Sequence, residues 1–226
     1  MLKAVLFDLD GTLIDTAADL LGTLDDVRAE LGLPACAHAL PAAVAARGGR
    51  GILSLGFPDD PTAADRLLPR YLQIYASRLA RCSRPYAGVD ELLRGLAGRG
   101  ILCGIVTNKP ELLARQLLDE LGWSQRFAVL VGGDTLSVRK PAPEPVWHAC
   151  AALRLAPQQT AMVGDDLRDI AAGRAAGCAL NIAVAYGYLE QPDAVHTWGA
   201  DQLVADPFAL AAALDTAITG RSGSAC

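Results

Sequence analysis

The chain has 226 residues, of which 52% are apolar and 20% are charged, and its formal net charge is -5. This length suits one large domain, or a core with one insertion. The acidic balance argues against a nucleic-acid-binding protein, which would carry a basic face. No apolar run approaches the roughly 18 residues of a membrane helix, so we expect no membrane association.

Two further observations indicate the compartment. The N-terminus meets Asp8 too early for a signal peptide. The six cysteines are scattered and form no C-x-x-C pair, which favours reduced thiols over a disulfide framework or a zinc site. We therefore expect a cytoplasmic protein.

Five short apolar runs have the length and flanks of buried parallel strands. They cover residues 3–8, 101–106, 127–131, 160–163 and 179–184. Helical patterns lie between them, at residues 113–121, 145–153 and 169–176. Strands that alternate with helices predict an α/β fold, in which a Rossmann-like parallel sheet is covered by helices on both faces.

The gap between the first two strands is too long for one crossover connection. It contains two apolar stripes at helical spacing and no strand-like run; the stripes are Leu20, Leu24, Val27 and Leu31, then Leu67, Tyr71, Tyr75 and Leu79. We therefore predict an all-helical cap over residues 16–82, inserted into a core made of residues 1–15 and 83–226. Asp15 and Thr16 offer N-cap chemistry for its first helix, and residues 84–88 suit the return linker.

Polar residues end the predicted strands: Asp8, Asp10, Thr107, Asn108, Asp165 and Asp166. In open parallel sheets ligands bind beyond the carboxyl ends of the strands, so we expect these residues to converge. Several carboxylates in one cleft repel each other unless a cation lies among them, and oxygen ligands favour Mg²⁺. A divalent cation and a lysine ammonium side by side would attract the negative charge of a phosphate group, so this arrangement predicts a phosphate-binding site. The alternative is that each acid caps a helix or faces solvent in a loop.

The lysines are unusual, because the 20 basic residues are 17 arginines and three lysines. Two of the lysines, Lys109 and Lys140, directly precede a proline. Such lysines indicate positions where a compact ammonium is needed and a planar guanidinium would not fit. The alternative is chance.

Four segments together resemble the motifs of the haloacid dehalogenase superfamily. Asp8-Leu9-Asp10-Gly11-Thr12 is similar to its first motif, Thr107-Asn108 to the second, Lys140-Pro141 to the third and residues 164–169 to the fourth. The helical insertion lies where the first (C1-type) cap of that superfamily belongs. The resemblance implies a Mg²⁺-dependent enzyme that handles phosphate esters through an aspartyl phosphate.

The resemblance implies a role for each catalytic residue, and the residue types suit these roles. Asp8 is the candidate nucleophile, and Asp10 the general acid that later serves as the base for water. Thr107 and Asn108 are expected to donate hydrogen bonds to the phosphoryl group, and Lys140 to neutralise its charge.

Three further acids belong to the same expected centre. Asp165 is expected to ligate Mg²⁺ together with Asp8 and a main-chain oxygen of Asp10. Asp169 is expected to orient Lys140 or a metal-bound water. Asp166 stays open, as a ligand, a water holder or only a neighbour.

The motifs also separate reaction types. An aspartate at position 10 favours phosphoester chemistry over carbon–halogen cleavage within the superfamily. Gly164-Asp165-Asp166 differs from the Glu-Asp pair usual in its phosphomutases, so a hydrolase is favoured over a sugar-phosphate mutase. A non-catalytic binding module with the same fold is a further alternative, against which the intact acidic and basic set argues.

Substrate choice is expected to lie in the cap. The segment from Arg47 to Gly51 is interpreted as a glycine-rich basic turn, in which Arg50, or next Arg47, grips a carboxylate. The alternative is a solvated loop between helices. The chain resembles bacterial phosphoglycolate phosphatases, and residues 163–170, 186–188 and 198–201 are similar to N-acetylmuramate 6-phosphate phosphatases. The expected partner is thus a small carboxylated phosphomonoester, and the sequence indicates no oligomeric state.

Overall fold

The computed structural model describes residues 1–220, in which six parallel strands form the main sheet. In chain order the strands are β1 (Ala4–Phe7), β2 (Ile14–Asp15), β3 (Arg84–Pro85), β4 (Leu102–Val106), β5 (Val129–Val131), β6 (Thr160–Gly164), β7 (Leu180–Val184) and β8 (Gln202–Val204). The helices are α1 (Ala17–Glu30), α2 (Gly48–Gly56), α3 (Ala63–Arg78), α4 (Val89–Gly98), α5 (Glu111–Glu120), α6 (Glu144–Leu153), α7 (Leu167–Ala176) and α8 (Pro207–Thr219).

The sheet has the order β5-β4-β1-β6-β7-β8, so β1 lies at its centre and pairs in parallel with β4 and β6. All four residues of β1 are buried, because both faces of the sheet are covered. Val5 and Phe7 pack in the cluster that contains α4, α5 and α8, whereas Leu6 packs in the cluster of α6 and α7. The α/β, Rossmann-like prediction is confirmed. The sequence patterns did not predict β8.

The stretch between β2 and β3 is helical, and α1, α2 and α3 lie there. These helices share a hydrophobic cluster of their own, with Leu24, Leu53 and Tyr71 in it, to which Leu113 of α5 and Tyr188 also contribute. At the base of the insertion β2 and β3 pair antiparallel, with Asp15 opposite Arg84. The division into a core and a cap at residues 16–82 stays a prediction.

The predicted turn at residues 47–51 is wrong, because helix α2 already begins at Gly48. One of the glycines lies at a close contact between two helices. A Cβ on Gly49 would lie 2.8 Å from a ring carbon of Tyr71 in α3. Gly49 therefore lets the ring of Tyr71 approach α2 closely, and Leu53 of the same helix is buried in the cluster that contains this ring.

The N-cap predicted at residues 15–16 also differs in detail. Thr16 does occupy the N-cap position of α1, but its side chain caps no backbone N–H. Its Oγ1 instead donates to Oδ1 of Asp10 at 2.7 Å. The N–H of Ala17 donates to the hydroxyl of Tyr188 at 2.8 Å and, at the longer distance of 3.2 Å, to Oδ1 of Asp15. Among residues 1–220, no helix combines the length and apolar character needed to cross a bilayer.

Candidate active site

A cavity of about 580 Å³ opens at the carboxyl ends of the central strands and reaches helices α2 and α3 of the insertion. Every site residue expected from the sequence lines it: Asp8, Asp10, Arg50, Thr107, Asn108, Lys140 and Asp165. The parallel sheet accounts for the convergence, because Asp8, Thr107 and Asp165 directly follow β1, β4 and β6.

The turn after β1 brings the acids close together. Gly11 has a φ of +84°, which glycine adopts without strain. A Cβ at this position would lie 2.1 Å from Oδ2 of Asp165. Gly11 therefore lets the carboxyl group that follows β6 approach the turn that follows β1.

Lys140 lies buried between two acids. Its Nζ donates to Oδ1 of Asp8 at 2.7 Å, to Oδ1 of Asp169 at 2.5 Å and to the carbonyl of Val106 at 2.5 Å. Burial alone would lower the pKa of Lys140, but the charges of Asp169 and Asp8 outweigh it and raise the pKa above its usual value. The ammonium is thus held charged beside Asp8, and Asp169 orients it.

The acidic cluster can hold a metal ion. Carboxylate oxygens of Asp8, Asp165 and Asp169 lie within 4.8 Å of one another. Asp165 accepts hydrogen bonds from Oγ1 of Thr12 at 3.0 Å and from the N–H of Tyr188 at 2.7 Å, which are both neutral donors. Burial and the charges of Asp8 and Asp169 raise the pKa of Asp165 well above its usual value. A cation beside Asp165 would compensate this buried negative charge.

Asp166 has a structural role at this edge of the sheet. It is the N-cap of α7, where its Oδ1 accepts from the N–H of Arg168 at 2.8 Å. Its two oxygens also accept from the guanidinium of Arg168 at 2.7 and 2.8 Å, and that guanidinium donates to the carbonyl of Ala46 in the insertion at 2.8 Å. Both oxygens of Asp166 are thus bonded within α7, and its part in the expected centre stays a prediction.

The second motif has contacts that sequence reasoning did not predict. Nδ2 of Asn108 donates to the carbonyl of Lys140 at 3.0 Å, which leaves one of its two N–H groups for a substrate. Oγ1 of Thr107 accepts from the N–H of Lys109 at 3.2 Å. Lys109 itself contacts Asp10. The one sequence signal for Lys109 was that lysine is rare in this chain.

Four arginines line the cavity: Arg47, Arg50, Arg139 and Arg168. Arg50 forms an ion pair with Asp65 of α3, and Arg47 pairs with Glu190, with Nη2 and Oε2 3.0 Å apart. Arg168 is held by Asp166. Arg139, which directly precedes Lys140, is exposed and has no acidic partner among residues 1–220.

The sequence model of the haloacid dehalogenase-like hydrolases matches residues 5–183. The chain belongs to this family. It is 44% identical over 206 residues to the phosphoglycolate phosphatase of Xanthomonas campestris pv. campestris strain 8004, an alignment that covers 91% of this chain and 93% of the relative. It is 40% identical over 221 residues to the N-acetylmuramic acid 6-phosphate phosphatase of Pseudomonas putida strain KT2440, covering 97% and 99%.

A solved structure agrees with this assignment. The crystal structure of a predicted phosphoglycolate phosphatase from Haemophilus somnus 129PT superposes with a TM-score of 0.81 at 26% identity, and covers 96% of this chain and 98% of that one. The expectation of an enzyme of the phosphoric monoester hydrolase class is confirmed by these relatives.

Proposed function

We propose that this enzyme is a Mg²⁺-dependent phosphatase that hydrolyses a small carboxylated phosphomonoester through an aspartyl phosphate on Asp8. One observation carries the proposal: Asp8 lies beside the buried ammonium of Lys140, at 2.7 Å, in a cavity shared with Asp10 and Asp165. A nucleophile, an acid/base group and a fixed positive charge are the parts that phosphoryl transfer needs.

The metal suits this site because Asp165 is a buried carboxylate with neutral partners. The side chains of Asp8 and Asp165 and a main-chain oxygen of Asp10 would hold it. When bound, Mg²⁺ would offset the charge of the phosphoryl group and orient it for in-line displacement.

The reaction then runs in two steps. A carboxylate oxygen of Asp8 bonds to phosphorus, the ester P–O bond breaks, and Asp10 gives its proton to the departing oxygen. Asp10, now ionised, takes a proton from water as that water attacks the phosphorus. The bond between phosphorus and Asp8 breaks, inorganic phosphate leaves, and both carboxyl groups return to their first state. Lys140, with an N–H of Thr107 or Asn108, stabilises the charge on the transferring group.

Two substrates suit the arginines of the cavity wall: N-acetylmuramate 6-phosphate and 2-phosphoglycolate. Both carry a carboxylate in addition to the phosphate ester. Relatives named for phosphoglycolate are 44% identical to the chain and relatives named for N-acetylmuramic acid 6-phosphate are 40% identical, so both names are candidates. A cavity of about 580 Å³ is in the range of sites for drug-sized ligands, whereas a two-carbon acid would leave most of it to water. Its volume therefore favours the sugar.

The test is a kinetic comparison of phosphate esters, with Mg²⁺ and with a chelator. We expect the highest kcat/KM for N-acetylmuramate 6-phosphate, a lower value for 2-phosphoglycolate, and a strong loss for N-acetylglucosamine 6-phosphate, which lacks the carboxylate. The chelator should abolish all three activities. Equal rates for the two amino sugars would overturn the carboxylate requirement, and activity in the chelator would overturn the metal requirement.

A further inference from the structure

Lys109 is a buried cation with no part in the two chemical steps above. Its side chain is 4% exposed, and a buried ammonium is stable when it is paired. Its Nζ lies 3.0 Å from Oδ1 and 3.3 Å from Oδ2 of Asp10, and 2.6 Å from the hydroxyl of Tyr75. An ammonium has three N–H donors, and these contacts direct them to Asp10 and Tyr75.

These contacts hold the carboxylate of Asp10 in one orientation. Its Oδ1 accepts from Lys109 at 3.0 Å and from Oγ1 of Thr16 at 2.7 Å. Its Oδ2 has the longer 3.3 Å contact to Lys109 and is the oxygen left to exchange a proton with the leaving group or water. A general acid or base is effective when that oxygen stays within hydrogen-bond reach of the reacting atom.

Tyr75 extends this arrangement to the insertion. It belongs to α3, is 1% exposed, and its ring centroid lies 4.4 Å from Nζ of Lys109. The hydroxyl contact at 2.6 Å is the shortest one that Lys109 makes and joins it to helix α3. An ammonium between a carboxylate, a hydroxyl and a ring is compact, whereas a guanidinium is larger and planar. This accounts for a lysine at this position in a chain whose basic residues are mostly arginine.

We propose that Lys109 is a positioning residue for Asp10, and that Tyr75 makes this positioning depend on the contact of helix α3 with the sheet edge. The inference rests on the proposed function, because it takes Asp10 as the acid/base group. It adds that Tyr75, a residue of the helical insertion, helps to orient the carboxylate of Asp10 through Lys109 without contacting the phosphate.

The experiment compares Lys109→Met, Tyr75→Phe and Asp10→Asn on an alkyl phosphate and on p-nitrophenyl phosphate, whose leaving group needs no proton. The burst of product in the first turnover isolates formation of the aspartyl phosphate. For Lys109→Met we expect the rate of this step to fall about 10- to 100-fold on the alkyl ester, which is part of the roughly 10²–10⁴-fold contribution of acid/base catalysis, and much less on the aryl ester. KM should change little. Tyr75→Phe should show the same pattern with a smaller loss.

A double-mutant cycle tests whether Lys109 acts through Asp10. Adding Lys109→Met to Asp10→Asn should cause no further loss, because the group to be positioned is already absent. Tyr71→Phe is the matched control, since it removes an equally buried hydroxyl of α3 that bonds to the carbonyl of Leu20 and not to Lys109. It is expected to lower the melting temperature without a dependence on the leaving group.

The outcomes separate the two proposals. If Asp10→Asn affects both esters equally in the burst, the acid role in the proposed function fails. If Asp10→Asn discriminates between the esters but Lys109→Met and Tyr75→Phe do not, the positioning role is overturned. A loss from Lys109→Met that is as large in the Asp10→Asn background as in the native enzyme also overturns it.

Discussion

At the scale of single residues, Lys140 uses all three N–H groups on Asp8, Asp169 and the carbonyl of Val106. Its charge is therefore in place before a substrate arrives, which is how a preorganised site stabilises a charged transition state. Asp8 is the more exposed acid of this pair, at 13% against 2% for Asp169, which suits it for the proposed role of nucleophile.

Asp8→Asn should lower turnover by at least about 10⁴-fold, because an amide is a poor nucleophile and a weaker metal ligand. The substitution is nearly isosteric, so the protein should still fold. Steady-state kinetics on p-nitrophenyl phosphate and a circular dichroism melt check both statements. Substantial activity in a clean preparation would place the nucleophile elsewhere.

Asp10→Asn should slow both half-reactions by about 10²–10⁴-fold, the usual contribution of general acid–base catalysis. The loss in the first half-reaction should be smaller for aryl than for alkyl phosphates, because an aryl oxygen leaves without a proton. Burst kinetics measure this step separately from hydrolysis of the aspartyl phosphate. Equal losses for the two ester types would contradict the assignment of Asp10.

Asp165 yields a prediction about both metal and pH. Its folded-state pKa is raised, so its ionisation destabilises the fold above the ordinary carboxyl pKa of about 4. In a chelator, Asp165→Asn should therefore melt at a higher temperature than the native enzyme at pH 8, and this gain should vanish near pH 4. In Mg²⁺ at roughly 10–100 times its Kd, the native enzyme should gain about 1–3 kcal/mol of unfolding free energy and the variant much less. Calorimetry across pH, with and without Mg²⁺, measures both effects. An equal Mg²⁺-dependent gain in unfolding free energy in the native enzyme and the variant would contradict the role of Asp165 as a metal ligand.

At the scale of elements, the sequence predicted which groups meet but not how they are held. Strands end where apolar runs meet Asp8, Thr107 and Asp165, so the sheet edge could be predicted. Helix α2 could not, because its start is rich in glycine and the packing of Gly49 against Tyr71 joins two elements that are separate in sequence. The contacts of Lys109 with Asp10 and Tyr75 join elements far apart in sequence, which no local pattern records.

The arginines of the cavity wall give a prediction at this scale. Arg50 in α2 is the candidate for the substrate carboxylate, yet it pairs with Asp65 of α3, whereas Arg139 has no acidic partner among residues 1–220. Replacing the arginine that binds the carboxylate by alanine should lower kcat/KM. The loss should correspond to about 1.5–3 kcal/mol of transition-state stabilisation, the contribution of a hydrogen bond to a charged group. Arg50→Ala and Arg139→Ala are compared on N-acetylmuramate and N-acetylglucosamine 6-phosphates.

The comparison of the two sugars separates specificity from other effects. A loss confined to the carboxylated sugar identifies the arginine that binds it. If both sugars lose equally in Arg50→Ala, the pair with Asp65 serves the packing of α2 on α3 instead. If neither sugar is affected, Arg50 is a solvated side chain and has no role in specificity.

At the scale of the whole molecule, the insertion and the sheet each have a hydrophobic cluster, and polar bridges join them. Arg47 pairs with Glu190, Arg168 reaches the carbonyl of Ala46, and Lys109 reaches Tyr75. The pair of Arg47 and Glu190 is largely exposed, at 48% and 35%, and such pairs contribute about 0–1 kcal/mol. Leu113 and Tyr188 of the core also pack in the cluster of the insertion, so apolar contacts join the two parts as well, and the boundary at residues 16–82 stays a prediction.

Two leucine substitutions test that boundary. Leu53 of α2 and Leu117 of α5 are both fully buried, the first in the cluster of the insertion and the second in that of the sheet. Replacing either by alanine should cost about 2–5 kcal/mol in unfolding free energy. If residues 16–82 form a separate domain, Leu53→Ala should speed hydrogen exchange in α1, α2 and α3 while β1, β4 and β6 keep their protection. Leu117→Ala should instead speed exchange in those strands. Faster exchange throughout the chain in both variants would show that the insertion and the sheet unfold as one unit.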